Sequence, residues 1–200
     1  MRLPAGVILI DPHTGAATVT HGAPPPLRQR RGSRPRTTPT NPHTQLDQQP
    51  EVEAAHPLRA ALAKAVFALA DVRERPSAVS VHGARALWLD ADVARGPRDA
   101  FLVGTEFAHL HPAPDWSLHA ALPPALAEEA VARGWAEVHP VARRGLLPAN
   151  VVMIYAPRDE SEVEVVRDLV FAAYGFARGE DTRASERSGE STALSEVAEP

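Results

Sequence analysis

Apolar residues recur at helical spacing at Leu58, Ala61, Leu62, Ala65, Val66 and Leu69, which predicts a helix over 57–70 with Pro57 in its first turn. Pro76 prevents that helix from running further. Short β-like runs follow at 78–81, 86–89, 101–111 and 117–122, with His82-Gly83 as the turn between the first two. Pro123 and Pro124 open a second helix, and Gly134 after Arg133 supplies a left-handed stop for it. Residues 135–139 and 151–155 read as two further strands. Asp159-x-x-Glu162 is a capping box ahead of Val163, Val166, Leu169, Val170 and Ala173, which marks a last helix. The order α-β-β-β-β-α-β-β-α predicts one α+β domain, a mainly antiparallel sheet of about six strands with three helices against it.

Outside 51–178 this patterning stops. Residues 1–50 hold 9 of the 20 prolines and carry 6 arginines against 2 aspartates. Such a segment buries too little apolar surface to offset the entropy of ordering it, so 1–50 is expected to be disordered and dispensable for folding. Residues 179–200 carry 6 acidic against 2 basic side chains and read as a disordered acidic tail. The formal charge of −4 argues against a general nucleic-acid binder, and the Arg28–Arg36 cluster reads as a solvated basic tail. Val7–Ile10 is too short an aliphatic run for a signal-peptide core or a membrane span, so a soluble, cytoplasmic protein is expected. With no cysteine, the chain has no disulfide framework, thiolate nucleophile, iron–sulfur cluster or Cys-based zinc site.

The histidines carry the chemistry. His109 and His111 fall on one face of their strand by period-2 geometry. If the loop Pro112 to Trp116 closes a hairpin, His119 lies opposite His109 and Ser117 opposite His111. Glu106 points to the other face unless a bulge brings it round. Three converging imidazoles can hold Zn or Fe(II), can act as neutral general bases near pH 7, or can be sheet residues satisfied by neighbouring hydrogen bonds. Arg158 directly precedes a helix N-cap, where it either clamps an anionic substrate or pairs with Glu160, Glu162 or Glu164. Trp135 and His139 share a strand face with Glu137, a pairing that suits a site or an exposed cross-strand contact. Trp88, Trp116, Phe101 and Phe107 read as core. Walker A, Gly-x-Gly-x-x-Gly, Gly-x-Ser-x-Gly and His-Glu-x-x-His patterns are absent from the sequence.

Four blocks in order, Glu106-Phe107-Ala108-His109-Leu110-His111, Ser117-Leu118-His119, Gly134-Trp135-x-x-x-His139-Pro140 and Tyr155-Ala156-Pro157-Arg158-x-Glu160-x-Glu162, resemble the fungal luciferase domain family. The resemblance covers about 101–178 and extends more loosely back to about residue 55. It implies oxygen chemistry: the fungal enzyme adds O2 to 3-hydroxyhispidin, a hydroxylated α-pyrone, and the resulting endoperoxide loses CO2. It implies a small-molecule substrate, O2 as co-substrate and no other cofactor; the histidine-bound metal that the residue pattern allows is the less favoured alternative. On this reading His109 or His111 is the base, Glu106 or His119 orients it, and Arg158 with His139 clamps charge. Trp135, Tyr155 and Ser117 complete the expected substrate site. A non-catalytic binding module is the alternative from another class. Light emission does not follow from the resemblance, because pockets change substrate faster than scaffolds change fold.

Overall fold

The computed structural model describes residues 7–10, 17–20 and 26–180. Val7–Ile10 (β1) and Ala17–Thr20 (β2) form an antiparallel hairpin with Val7 opposite Thr20, a unit of its own. Residues 27–180 belong to the main unit. Apart from Gly179 and Glu180, the expected acidic tail lies outside the described residues.

The main unit is a six-stranded sheet in which every neighbouring pair is antiparallel, with spatial order β3-β4-β5-β6-β8-β7. Its strands are Val72–Pro76 (β3), Arg85–Leu89 (β4), Glu106–Leu110 (β5), Leu118–Ala121 (β6), Ala136–Val138 (β7) and Val151–Ile154 (β8). The helices are Val52–Val66 (α1), Pro124–Ala132 (α2), the single turn Pro140–Arg143 (α3) and Glu160–Arg178 (α4). This is the α+β architecture read from the sequence, with one short helix added. Among the described residues, no helix is long and apolar enough to cross a membrane.

Period-2 geometry sorts the strands into two faces. Leu87, Ala108, Leu110, Leu118, Ala120, Val152 and Ile154 form the core face with Leu62 and Val66 of α1 and Val166, Leu169 and Val170 of α4. The apolar stripe of α1 is as expected, but the helix starts at Val52 and places Pro57 inside it. That is tolerable because Pro57 leaves only a first-turn carbonyl without its N–H partner. Gly134 sits at φ +75° directly after the cap of α2, the left-handed stop that its position predicts.

Three departures reshape the histidine face. The strand expected at 78–81 is part of a loop, and β3 lies earlier. Its exposed Arg73, Glu74 and Arg75 hide it from any hydrophobic pattern, as on charged edge strands generally. The run expected at 101–111 is interrupted by a turn at Gly104, φ +55°. The pairing of β4 with β5 then slips, so that Leu87 faces Ala108 while its neighbour Trp88 faces Glu106. Phe107 is the extra residue of this bulge. Phe107 and Ala108 both join the core, and Glu106 returns to the histidine face.

The largest correction concerns the N-terminal segment. Residues 27–50 are not free but packed along the β7 edge and over the face opposite the helices. Arg30 is buried, donating its N–H to the Arg133 carbonyl and its guanidinium to Glu162 at 3.2 Å, and lying over the rings of Trp135 and Tyr155. Leu27 N–H donates to Glu129, and the Trp135 indole donates to the Arg28 carbonyl. Thr37 and Gln45 bridge to close a small loop with His43 near its tip. Polar anchors replace the periodic apolar residues that would have revealed this docking.

Two outcomes follow from that arm. Deleting residues 1–50 should lower the thermal midpoint by more than about 5 °C, on the order of 1 kcal/mol, in differential scanning calorimetry. Burial alone would raise the Glu162 carboxyl, but hydrogen bonds from Arg158 and the charge of Arg30 hold it below the usual range. A lowered carboxyl stabilises the fold above its unfolded value of about 4.3 and loses that contribution as pH falls through the folded value. The stability gap between the native chain and Glu162→Gln should therefore close as denaturant titrations are moved from about pH 6 to about pH 3.

A buried histidine cavity as the candidate active site

The hairpin β5–β6 sets His109 directly opposite His119, and two positions on the His111 N–H donates to the Ser117 carbonyl. His139 follows β7 and caps α3, and His43 arrives from the N-terminal arm. All five rings are buried. Ring centroids of His111 and His119 are 4.7 Å apart, those of His119 and His139 4.6 Å, and those of His109 and His119 5.0 Å. His43 stacks on His119 at 5.4 Å. Beside them opens a cavity of about 310 Å³, lined also by Asn41, Ser80 and the apolar side chains of Val79, Val81, Leu102, Val141 and Leu147.

Carboxylates stand behind the rings. Glu106 accepts from the Ser77 hydroxyl at 2.7 Å, the Ala78 N–H at 3.0 Å and Nδ1–H of His109 at 2.8 Å. Asp115 accepts from Nδ1–H of His111, from the Ser117 hydroxyl at 2.7 Å and from the Gln45 N–H at 2.9 Å. A ring that donates through Nδ1 keeps its lone pair on Nε2 while neutral. His109 Nε2 lies 3.0 Å from His119 Nδ1, His119 Nε2 lies 3.3 Å from His43 Nδ1, and His43 Nε2 meets Glu137 at 2.5 Å. Glu137 is also bonded by the Tyr155 hydroxyl at 3.3 Å. His139 is reversed: its Nδ1 accepts from the Val141 N–H, which leaves the proton on Nε2.

Crowding and burial keep charge out of this cluster. Two imidazolium ions at the His111–His119 separation would repel by about 3.5 kcal/mol at an effective dielectric of ~20. Burial pushes His109 down despite the opposing Glu106, and burial with four neighbouring rings pushes His119 well below the usual histidine range. Burial, then the rings of His43, His109 and His111, bring His139 down to about 4. Burial would raise Asp115, but His111 and Ser117 outweigh it and hold that carboxyl low.

The structure thus brings together His109, His111, His119, Glu106, Ser117 and His139. Arg158 is not with them: its guanidinium lies on Glu162 and the Arg31 carbonyl, so the pairing with its own helix is the one observed. Trp135 is part of the core under Arg28 and Arg30, outside the cavity wall. Tyr155 reaches the cluster only through Glu137. His43, Asp115 and Asn41 were not anticipated. Asp115 was legible in principle from its place in the hairpin loop, four residues after His111, whereas nothing periodic marks His43.

Comparison with known proteins fixes the relationship of this region. Residues 104–173 match the luciferase domain family. The luciferases of Armillaria ostoyae, Armillaria mellea and Neonothopanus nambi are 41%, 40% and 38% identical over 73 residues. That stretch is 36% of this chain and 27% of each fungal protein, so the chain shares about a quarter of their length. No solved structure matches the chain. The matched stretch contains His109 and His111 with their carboxylates, while His43 and Ser77 come from outside it.

Glu106 is an exacting contact, because one fully buried carboxylate satisfies three donors. Glu106→Gln leaves one acceptor oxygen where two are used and should cost about 1–3 kcal/mol in urea denaturation, with the His109 ring losing its fixed orientation. A change below about 0.5 kcal/mol would show that the carboxylate does not hold the ring.

Proposed function

We propose that this protein is an oxygenase that adds O2 to an enolisable small molecule bound in the histidine cavity. The observation that carries this reading is a pair of carboxylate-backed imidazoles inside the luciferase domain match, His109 and His111, set with His119 against a partly open, mostly apolar cavity. An enolic O–H loses its proton to Nε2 of His109 or His111, whose Nδ1–H is held by Glu106 or Asp115. The electron-rich carbon then forms a bond to O2, and the resulting peroxide takes back the proton, so substrate and O2 sum to the hydroperoxide. His139, neutral and protonated on Nε2, is placed to donate a hydrogen bond to the developing oxyanion. Val81 and Leu102 give the reacting carbon an apolar wall.

One part of the sequence-based expectation changes. Arg158 is held on Glu162, and among the described residues no arginine or lysine lines the cavity, so this reading assigns no charge clamp to Arg158.

Oxygen-electrode traces with untagged full-length protein test the reading. Hydroxypyrones or catechols should drive O2 uptake, and their O-methyl ethers, which cannot ionise, should not. His109→Gln should lower uptake by roughly a hundredfold or more, as loss of a general base does. Arg158→Lys should leave it within about twofold. Tight binding of enolic compounds with no O2 uptake at all would instead mark the domain as a binding module.

A further inference from the structure

Among the described residues, the cavity that would hold an enolate carries no permanent positive charge on its wall. It does carry three imidazoles whose ring nitrogens lie within 4.8 Å of one another. We infer that His109, His111 and His119 are the ligands of one divalent first-row transition-metal ion, with its open side toward the cavity.

The geometry supports this in three ways. His109 Nε2 and His119 Nδ1 are 3.0 Å apart. Two nitrogens each about 2.1 Å from one ion are separated by about 3.0 Å at a right angle and about 3.4 Å in a tetrahedron. The contact otherwise requires a proton between two ring nitrogens, and the ion takes that proton's place. Next, the far nitrogen of each ligand ring already has a partner: Glu106 for His109, Asp115 for His111, and His43, itself held by Glu137, for His119. Outer partners of this kind fix the tautomer and direction of metal-binding histidines. Finally, three protein ligands beside a cavity leave room for substrate, the pattern of a reactive rather than a closed structural centre.

The neighbouring triad His43, His119 and His139 is also close enough to share an ion. It is the poorer site, because the Val141 N–H occupies Nδ1 of His139 and leaves the proton on Nε2. An all-imidazole set suits Fe2+, Co2+, Ni2+ or Zn2+ rather than Mg2+ or Ca2+, which prefer oxygen. The inference rests on the oxygenase reading only for the substrate's chemistry. The ion would meet the enolate charge, and with it bound His109 and His111 act as its ligands and not as the base.

Untagged full-length protein, stripped with a chelator and dialysed, is titrated with Co2+ and with Zn2+ by calorimetry and visible absorption. One ion per chain should bind, with the Co2+ bands of a four- or five-coordinate centre. His111→Ala should weaken binding by about a hundredfold or more, since losing an outer partner alone costs 10- to 100-fold. His139→Ala should change it by less than about threefold. Absence of saturable binding by the native chain overturns the inference without reference to any variant's folding. So does binding that survives both His109→Ala and His111→Ala but is lost in His139→Ala. Undiminished O2 uptake by stripped protein would overturn the metal site and leave the oxygenase reading standing. Stoichiometric, His111-dependent binding with no O2 uptake from any enolic compound would do the reverse.

Discussion

Burying imidazoles side by side is costly unless each ring's proton is assigned a place, and that constraint organises the histidine face of this sheet. Five rings within about 5 Å of their neighbours cannot all be charged, and a neutral ring must offer one donor and one acceptor in a fixed sense. The protein meets the requirement from outside the cluster. Glu106, Asp115 and Glu137 each take an N–H from a different ring, and the Val141 N–H takes a lone pair from the fourth. The lone pair of His109 Nε2 is thereby turned to His119 Nδ1 at 3.0 Å, and the rings of His109 and His111 line the cavity.

Meeting that constraint shapes the backbone. A regular β5 would turn Glu106 into the helix-packed core, where its carboxylate would lack a partner. The bulge at Phe107 moves it to the histidine side and gives the core a phenylalanine instead. The loop after β3 then supplies the Ser77 hydroxyl and the Ala78 N–H that complete the carboxylate's shell. At the far edge the N-terminal arm covers the sheet and contributes His43 and Gln45. The arm is itself anchored by Arg30 on Glu162 at the start of α4. Fold and site share these contacts, so the arm is as much a wall of the cavity as a strand is.

The helical stripe of α1, the stop at Gly134, the N-cap at Asp159 and the facing of His109 with His119 were all legible, because each depends on spacing within a few residues. The reciprocal half of the capping box is not formed, since Glu162 accepts from the Arg158 N–H instead. The elements that escaped depend on partners far along the chain. β3 is a charged edge strand whose Arg73 and Glu74 pair with Asp90 and Arg85. The arm docks through a buried guanidinium and backbone hydrogen bonds, and its prolines and arginines imitate a disordered composition. Arg158 had two readings of equal local merit, and the tertiary position of Glu162 decided between them.

The central claim is that carboxylates fix the histidine tautomers so that basic nitrogens face the cavity. Ring-nitrogen chemical shifts of 15N-histidine-labelled, metal-free protein near pH 7 read this directly. The account predicts the proton on Nδ1 of His109 and His111 and on Nε2 of His139. Protons on Nε2 of His109 and His111 would contradict it, because the cavity would then face donors and the carboxylates would not be orienting the rings.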